Sequence, residues 1–319
     1  VDVAISGSLK SPEVNHSDPA KGTESEPLLA RSGDTAAATE QAAPPAQSEP
    51  LPARSGDTAA ATEQAAPRAQ SEPIHLRPTT TLAERVLLPG DPGRALALAQ
   101  LLLEKPLMFN HHRGLWGYTG VAGDGKPLTI QSTGMGGPSA AIVLHELISL
   151  GVTRAIRVGT CGALDSELGL GDLVVVREAI AADGTSTALG AEQLTHADPA
   201  LAEALVNVAG RLRERAHCAG RIVSTDLFYE RDSTRNASWL AEGALAVEME
   251  AAALFALGAN AGVQVACILA VSDTFYTDIQ PSGYNPVLEG SEARLRIDEH
   301  ALTQAAEAMG SVAAAALQV

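Results

Sequence analysis

The stretch Arg85–Leu103 reads RVLLPGDPGRALALAQLLL. Val86-Leu87-Leu88 is a short apolar run stopped by Pro89 and Gly90, the signature of a buried strand bounded by breakers. Asp91-Pro92-Gly93-Arg94 then turns the chain, and Ala95 to Leu103 carries helical spacing. The same alternation continues downstream. Leu128-Thr129-Ile130, Ala155 to Val158, Leu173 to Val176, Ile222-Val223 and Val265 to Val271 read as strands. Pro138 to Leu150, Pro199 to Arg215, Glu248 to Ala261 and about Ser291 to Leu317 read as helices, with Pro138 and Pro199 suited to a first helical turn. This pattern predicts one α/β domain over residues 74–319, with a central mixed, largely parallel sheet flanked by helices. In such a sheet, ligands gather at the strand ends.

Residues 1–73 have a different texture, rich in Ala, Pro, Ser, Glu and Thr and poor in aromatics and β-branched runs. Such a segment buries too little apolar surface to offset its ordering entropy, so a disordered low-complexity tail is expected. Within it, residues 25–47 (SEPLLARSGDTAAATEQAAPPAQ) recur nearly verbatim as residues 48–70. The repeat has no periodic apolar face to stack, which favours a duplicated linker over a solenoid.

Across 319 residues, 45% are hydrophobic and the formal charge is −16. A substantial core is available, and a nucleic-acid partner is disfavoured because it would need a basic face. A small anion is not excluded, since a few arginines and backbone amides set the local potential. Cys161, Cys218 and Cys267 stand far apart without a CxxC pair, so neither a disulfide framework nor a metal site is expected. No apolar run approaches the roughly 20 residues of a membrane span. With no basic-then-apolar leader either, the reading is a cytoplasmic protein with no membrane partner.

Five segments carry chemistry. Gly90 to Arg94 lies between a strand and a helix, where exposed amides, the helix dipole and an arginine favour an anion, although the same residues suit an ordinary turn. Ser132 to Ser139 (STGMGGPS) repeats the arrangement, its glycines permitting close backbone approach to a ligand. Arg157 to Gly162 (RVGTCG) adds an arginine, a hydroxyl and glycine-flanked amides at one sheet edge. No Gly-Lys-Ser/Thr follows, which argues against a nucleoside triphosphate loop. Val247 to Ala253 (VEMEAAA) sets two acids where an apolar segment enters a helix; one could cap it, and the other could accept bonds from vicinal hydroxyls. Val271-Ser272-Asp273 also ends an apolar strand on a carboxylate, a turn residue or a proton carrier.

In order, PGDPGR, HHRG, STGMGGPS, RVGTCGAL, STDLFY, VEMEAA and VSD resemble the hexameric bacterial branch of the nucleoside phosphorylase family, from about His75 to at least Phe275. The resemblance implies phosphate binding by Gly90, Arg94, Arg157 and Thr160, and by Arg113 of a neighbouring subunit. It implies ribose contacts from Met249 and Glu250, with His75 reaching across from the neighbour, and a base site bordered by Phe228, Tyr229, Val247 and Glu248. Asp273 falls where purine phosphorylases protonate N7 of the leaving base, and Arg294 and Arg296 are both candidates to assist it. Inorganic phosphate would be a co-substrate, with no other cofactor and no metal, and the assembly a homohexamer built as a trimer of dimers.

Uridine phosphorylases are the alternative within the family. Against them, Phe228 to Arg235 (FYERDSTR) lacks their Gln-x-Arg spacing, and an acid stands at 273. In their favour, Ala182 to Ser186 and Ser132-Thr133-Gly134 lie closer to the uridine branch. The sister hydrolases that use water lack the GDPxR phosphate signature present here. A non-catalytic nucleoside-binding protein on this fold would have little use for both Asp273 and the phosphate arginines.

Overall fold

The computed structural model describes residues 72–212, 217–229, 232, 234–274 and 295–318. All belong to one compact unit, Ala65–Val319. The duplicated segment, the end of the helix expected to run to Arg215, and Arg294 lie outside the described residues.

The elements follow in chain order as β1 (Arg85–Leu88), α1 (Pro92–Leu102), β2 (Leu103–Asn110), β3 (Gly117–Ala122), β4 (Pro127–Gln131), α2 (Gly137–Ser149), β5 (Arg154–Ala163), β6 (Leu173–Ala182) and α3 (Gly184–Ala188). Then come β7 (Leu194–His196), α4 (Pro199–Leu212), β8 (His217–Thr225), α5 (Thr234–Ala241), β9 (Ala244–Glu248), α6 (Ala251–Ala261), β10 (Gln264–Thr274), β11 (Leu295–Arg296) and α7 (Glu299–Ala316). The chain is thus the α/β fold with a mixed sheet and flanking helices that its sequence predicts. Each expected strand is present, and most are longer than their apolar cores. The helix expected from Glu248 begins instead at Ala251, because Glu248 ends β9 and its carboxylate accepts the Ala251 amide at 2.9 Å.

Parallel pairings join β4 to β1, β1 to β5, β5 to β10, β6 to β8 and β8 to β9. The antiparallel pairings of β10 with β6 and of β9 with β5 bring β5, β10, β6, β8 and β9 round into a closed ring of five strands, from which β1, β4, β3 and β2 continue. One edge of β5 therefore has two successive neighbours. Arg154 to Arg157 pair with β1, whereas Gly162 and Ala163 pair with β9. Between these pairings the β5 edge opens at Val158 to Cys161, a switch point of the kind where sheets take ligands.

Helices α1, α4 and α7 pack together, and α2, α3 and α6 form a second group. Helix α6 is buried from Ala251 through Gly258, and its small residues allow it to lie close to β10. A Cβ on Gly258 would stand 2.4 Å from Cγ2 of Val265. Gly262, at φ 69°, closes the helix in the left-handed conformation that glycine adopts without penalty.

Candidate active site

The loop after β1 is built as a helix entrance. Asp91 is the N-cap of α1 and accepts the Arg94 amide at 2.7 Å, and Pro92 occupies the first turn. This loop is joined to the loop after β4 by two backbone bonds, Thr133 N to Pro89 O at 2.9 Å and Gly134 N to Gly90 O at 3.0 Å. Gly134 and Gly136 hold φ of 73° and 85°, which side-chain-bearing residues rarely adopt. The two glycine motifs therefore form one wall of a cleft of about 410 Å³, within the range of roughly 300–1,000 Å³ typical of small-molecule sites.

Arg157 is the buried centre of the opposite wall, 4% exposed on β5. Its Nε donates to Glu248 at 2.9 Å, and its Nη2 donates to Glu250. Its Nη1 has no partner among the described residues. Burial alone would lower the Arg157 pKa, but the carboxylates of Glu250 and Glu248 more than reverse this and hold it raised. The Arg94 guanidinium makes no hydrogen bond or ion pair among the described residues, and its pKa is lowered, chiefly by burial, with Asp91 opposing and Arg157 adding to the effect. Two guanidinium groups in one another's field, one with an unused donor, favour an anion between them.

Glu250 joins this end to the middle of the cleft. One of its oxygens accepts the Gly136 amide at 2.5 Å and the other faces Arg157. Burial raises its pKa, opposed by Arg157 and reinforced by Glu248. Glu248 borders the cleft, but its carboxylate is committed elsewhere. Besides Arg157 it accepts from the Ser224 hydroxyl and from the amides of Glu250 and Ala251. The sequence reading put Glu248 beside the base; the bonds it makes are those of a residue that holds Arg157 and the start of α6 in place.

Asp273 stands at the far end of the cleft, near the end of β10. The β10–β5 register shifts between Val271 and Asp273, and the bulge re-aims the strand's last side chains. The Ser272 hydroxyl has two acceptors for its one proton, Asp273 at 2.8 Å and the Cys161 carbonyl at 3.2 Å. Arg296 on β11 lies directly opposite Asp273 in an antiparallel pair. Such partners share a face of the sheet with Cβ atoms about 4.5–5.5 Å apart.

The remaining wall is apolar. Val247, Leu227, Phe228 and Trp239 line it, and Phe228 meets Tyr229 edge to face with ring centroids 5.0 Å apart. Phe228 is 49% exposed and so is no core aromatic.

Ten of the residues singled out in the sequence border this one cleft: Gly90, Arg94, Arg157, Thr160, Phe228, Val247, Glu248, Met249, Glu250 and Asp273. Tyr229, His75 and Arg113 do not. His75 and Arg113 instead belong to neighbouring segments. The ring of His112 donates through Nδ1 to the His75 carbonyl at 3.0 Å, and Arg113 follows it, exposed, at φ 59°. Sequence reasoning missed Asn236 and Trp239 on α5, which also line the cleft. A short polar helix after a loop offers little periodicity to find it by.

Among the described residues, no cluster of three His, Cys, Asp or Glu side chains could hold a metal, and no helix is long and apolar enough to cross a membrane. Residues 84–318 match the model of the phosphorylase superfamily. A DeoD-type purine nucleoside phosphorylase of Caldanaerobacter subterraneus subsp. tengcongensis is 40% identical over 199 residues, which are 61% of this chain and 85% of that protein. Its namesake from Clostridium novyi is 39% identical over 61% of this chain and 84% of that protein. The crystal structure of a uridine phosphorylase from Vibrio fischeri superposes with a TM-score of 0.63 at 25% identity, over 74% of this chain and 92% of that one. With the family model matched over residues 84–318 and these relatives beside it, the chain belongs to the phosphorylase superfamily.

Proposed function

We propose that this chain cleaves the N-glycosidic bond of purine ribo- and deoxyribonucleosides with inorganic phosphate, releasing the free base and the sugar 1-phosphate. The observation that carries this is the pairing, within one cleft, of the partnerless Nη1 of Arg157 beside Arg94 with Asp273 at the opposite end. Phosphate binds Arg94, Arg157, Thr160 and the Gly90 loop. Ribose lies over Met249, with its 2'- and 3'-hydroxyls donating to Glu250. The base lies against Phe228 and Val247, its N7 toward Asp273.

As the C1'–N9 bond opens, its electron pair goes to the base and Asp273 delivers a proton to N7, so a neutral purine leaves. Phosphate stabilises the oxocarbenium-like sugar and then bonds to C1' through one of its oxygens. Arg296, across the ladder from Asp273, is placed to steady the carboxylate left behind. Uracil has no ring nitrogen equivalent to N7, which favours purines over the uridine alternative. The names of the two relatives above point the same way. No cofactor beyond phosphate enters these steps.

A cytoplasmic trimer of dimers is the companion reading. His75 and Arg113 stand off this chain's own cleft, near the exposed apolar residues Ile74, Leu107, Met108, Trp116 and Ile142, a surface that a second copy would cover. Base release from inosine, adenosine, guanosine and uridine, with and without phosphate, tests the function. Release from the purine nucleosides alone, and only with phosphate, is expected. Release from uridine alone overturns the base assignment, and release without phosphate overturns phosphorolysis.

A further inference from the structure

Helix α5 carries TRNASWLA, with Trp239 buried and Asn236 half-buried one turn before it, so the two share a face. Both border the cleft. Trp239 is packed in a small core of Leu164, Ile180, Val223 and Ala244, with Val247 against it, and Arg235 covers its ring at 5.3 Å. The helix is therefore anchored, and Asn236 is held at the apolar end of the cleft among Leu227, Phe228, Trp239 and Val247. Elsewhere in the cleft, Glu248 and Glu250 have partners within the protein. The Asn236 carboxamide has no hydrogen bond among the described residues. A donor and an acceptor side by side on an apolar wall, with no partner among the described residues, are the kind of group that fixes a ligand's orientation in such a cleft.

We propose that Asn236 determines base specificity, pairing with the six-membered ring of the purine at position 6 and N1. The proposal rests on the purine phosphorolysis reading above. A 6-oxopurine offers an acceptor at O6 beside a donor at N1, and the carboxamide supplies the complementary NH2 and carbonyl. A 6-aminopurine offers the reverse pattern, and the amide meets it by turning over. A purine without a 6-substituent cannot form the pair. Asn236 thus admits both 6-oxo and 6-amino nucleosides while rejecting the bare ring.

The test is kcat/KM for inosine, adenosine and purine riboside, each with saturating phosphate, in the parent and in Asn236→Leu and Asn236→Asp. Leucine removes both hydrogen-bonding groups at similar volume, and the inosine to purine riboside ratio falls by roughly 10- to 100-fold. Aspartate, which is isosteric and safe for folding, accepts from a 6-amino group and repels a 6-oxo group. It raises the adenosine to inosine ratio by about tenfold. Equal losses on all three nucleosides, or ratios that do not move in Asn236→Asp, overturn the proposal while leaving purine phosphorolysis intact. A parent that releases uracil but no purine overturns both.

Discussion

In the proposed reaction Asp273 serves the leaving group and Arg157 the nucleophile, and substitutions separate them. Asp273→Ala removes the proton carrier without touching Arg94 or Arg157, so kcat on inosine falls by about 10²- to 10⁴-fold. Phosphate affinity measured by calorimetry stays at the parent value. Equal rates in variant and parent at saturating phosphate would remove Asp273 from the mechanism. Glu146 serves the fold instead. Its buried carboxylate accepts the amides of Ile74, His75 and Leu76 and the ring of His75 at 2.7–3.1 Å, fixing the segment before β1 onto α2. Burial opposes ionisation, yet the bonds from His75 and its neighbours prevail and hold its pKa below the ordinary value. A carboxylate depressed on folding contributes stability above its unfolded pKa, about 4.3, which is lost as pH falls through the folded value. Glu146→Gln therefore costs about 1–3 kcal/mol at pH 7. In urea titrations the gap between parent and variant closes as pH drops below about 4.

At the scale of elements, the β10–α6 contact shows packing overruling propensity. Gly258 sits inside α6, where alanine would ordinarily gain about 1 kcal/mol. Its Cβ would nevertheless meet Val265 Cγ2 at 2.4 Å and the Val263 carbonyl at 3.0 Å, and a backbone oxygen cannot turn aside. Overpacking of this kind costs about 1–3 kcal/mol, so Gly258→Ala lowers the midpoint of thermal unfolding. An unchanged or raised midpoint would mean that α6 can slide on β10. The same contrast explains what the sequence made legible. Strands β1, β4, β5, β6 and β10 stood out because each carries a short, predominantly apolar and β-branched run, broken only by Thr129 in β4 and Arg157 in β5, as buried strands require. Strands β2 and β9 did not, since LEKPLMFN and ALAVE mix charges or small residues with apolar ones and owe their strand state to neighbours. The Arg94 and Arg157 end of the cleft could be read from glycines and arginines clustered in local motifs. Asn236 could not, because only the packing of Trp239 brings α5 to the cleft. The commitment of Glu248 to Ser224 and Arg157 joins three strands and has no signature along the chain.

At the scale of the whole molecule, the ring of β5, β10, β6, β8 and β9 brings the Arg157 and Asp273 ends of the cleft together within one chain, yet two expected contributors stand apart from it. If Arg113 completes the cleft of a second copy, and that copy returns its own, each site of a two-fold dimer draws on both subunits. Arg113→Ala and Asp273→Ala would each then inactivate, but through different chains. In a dimer of one subunit of each kind, the site holding the intact Asp273 receives the intact Arg113 from the Asp273→Ala subunit, while the other site lacks both. Random reassortment makes half of the dimers mixed, with one working site in each, so co-expression of the two variants restores about a quarter of the parent's sites. Cleavage of inosine by the mixture, against each variant alone, measures this. Activity no greater than the average of the two separate variants would place Arg113 outside any shared site and leave Arg94 and Arg157 to hold the phosphate within one chain.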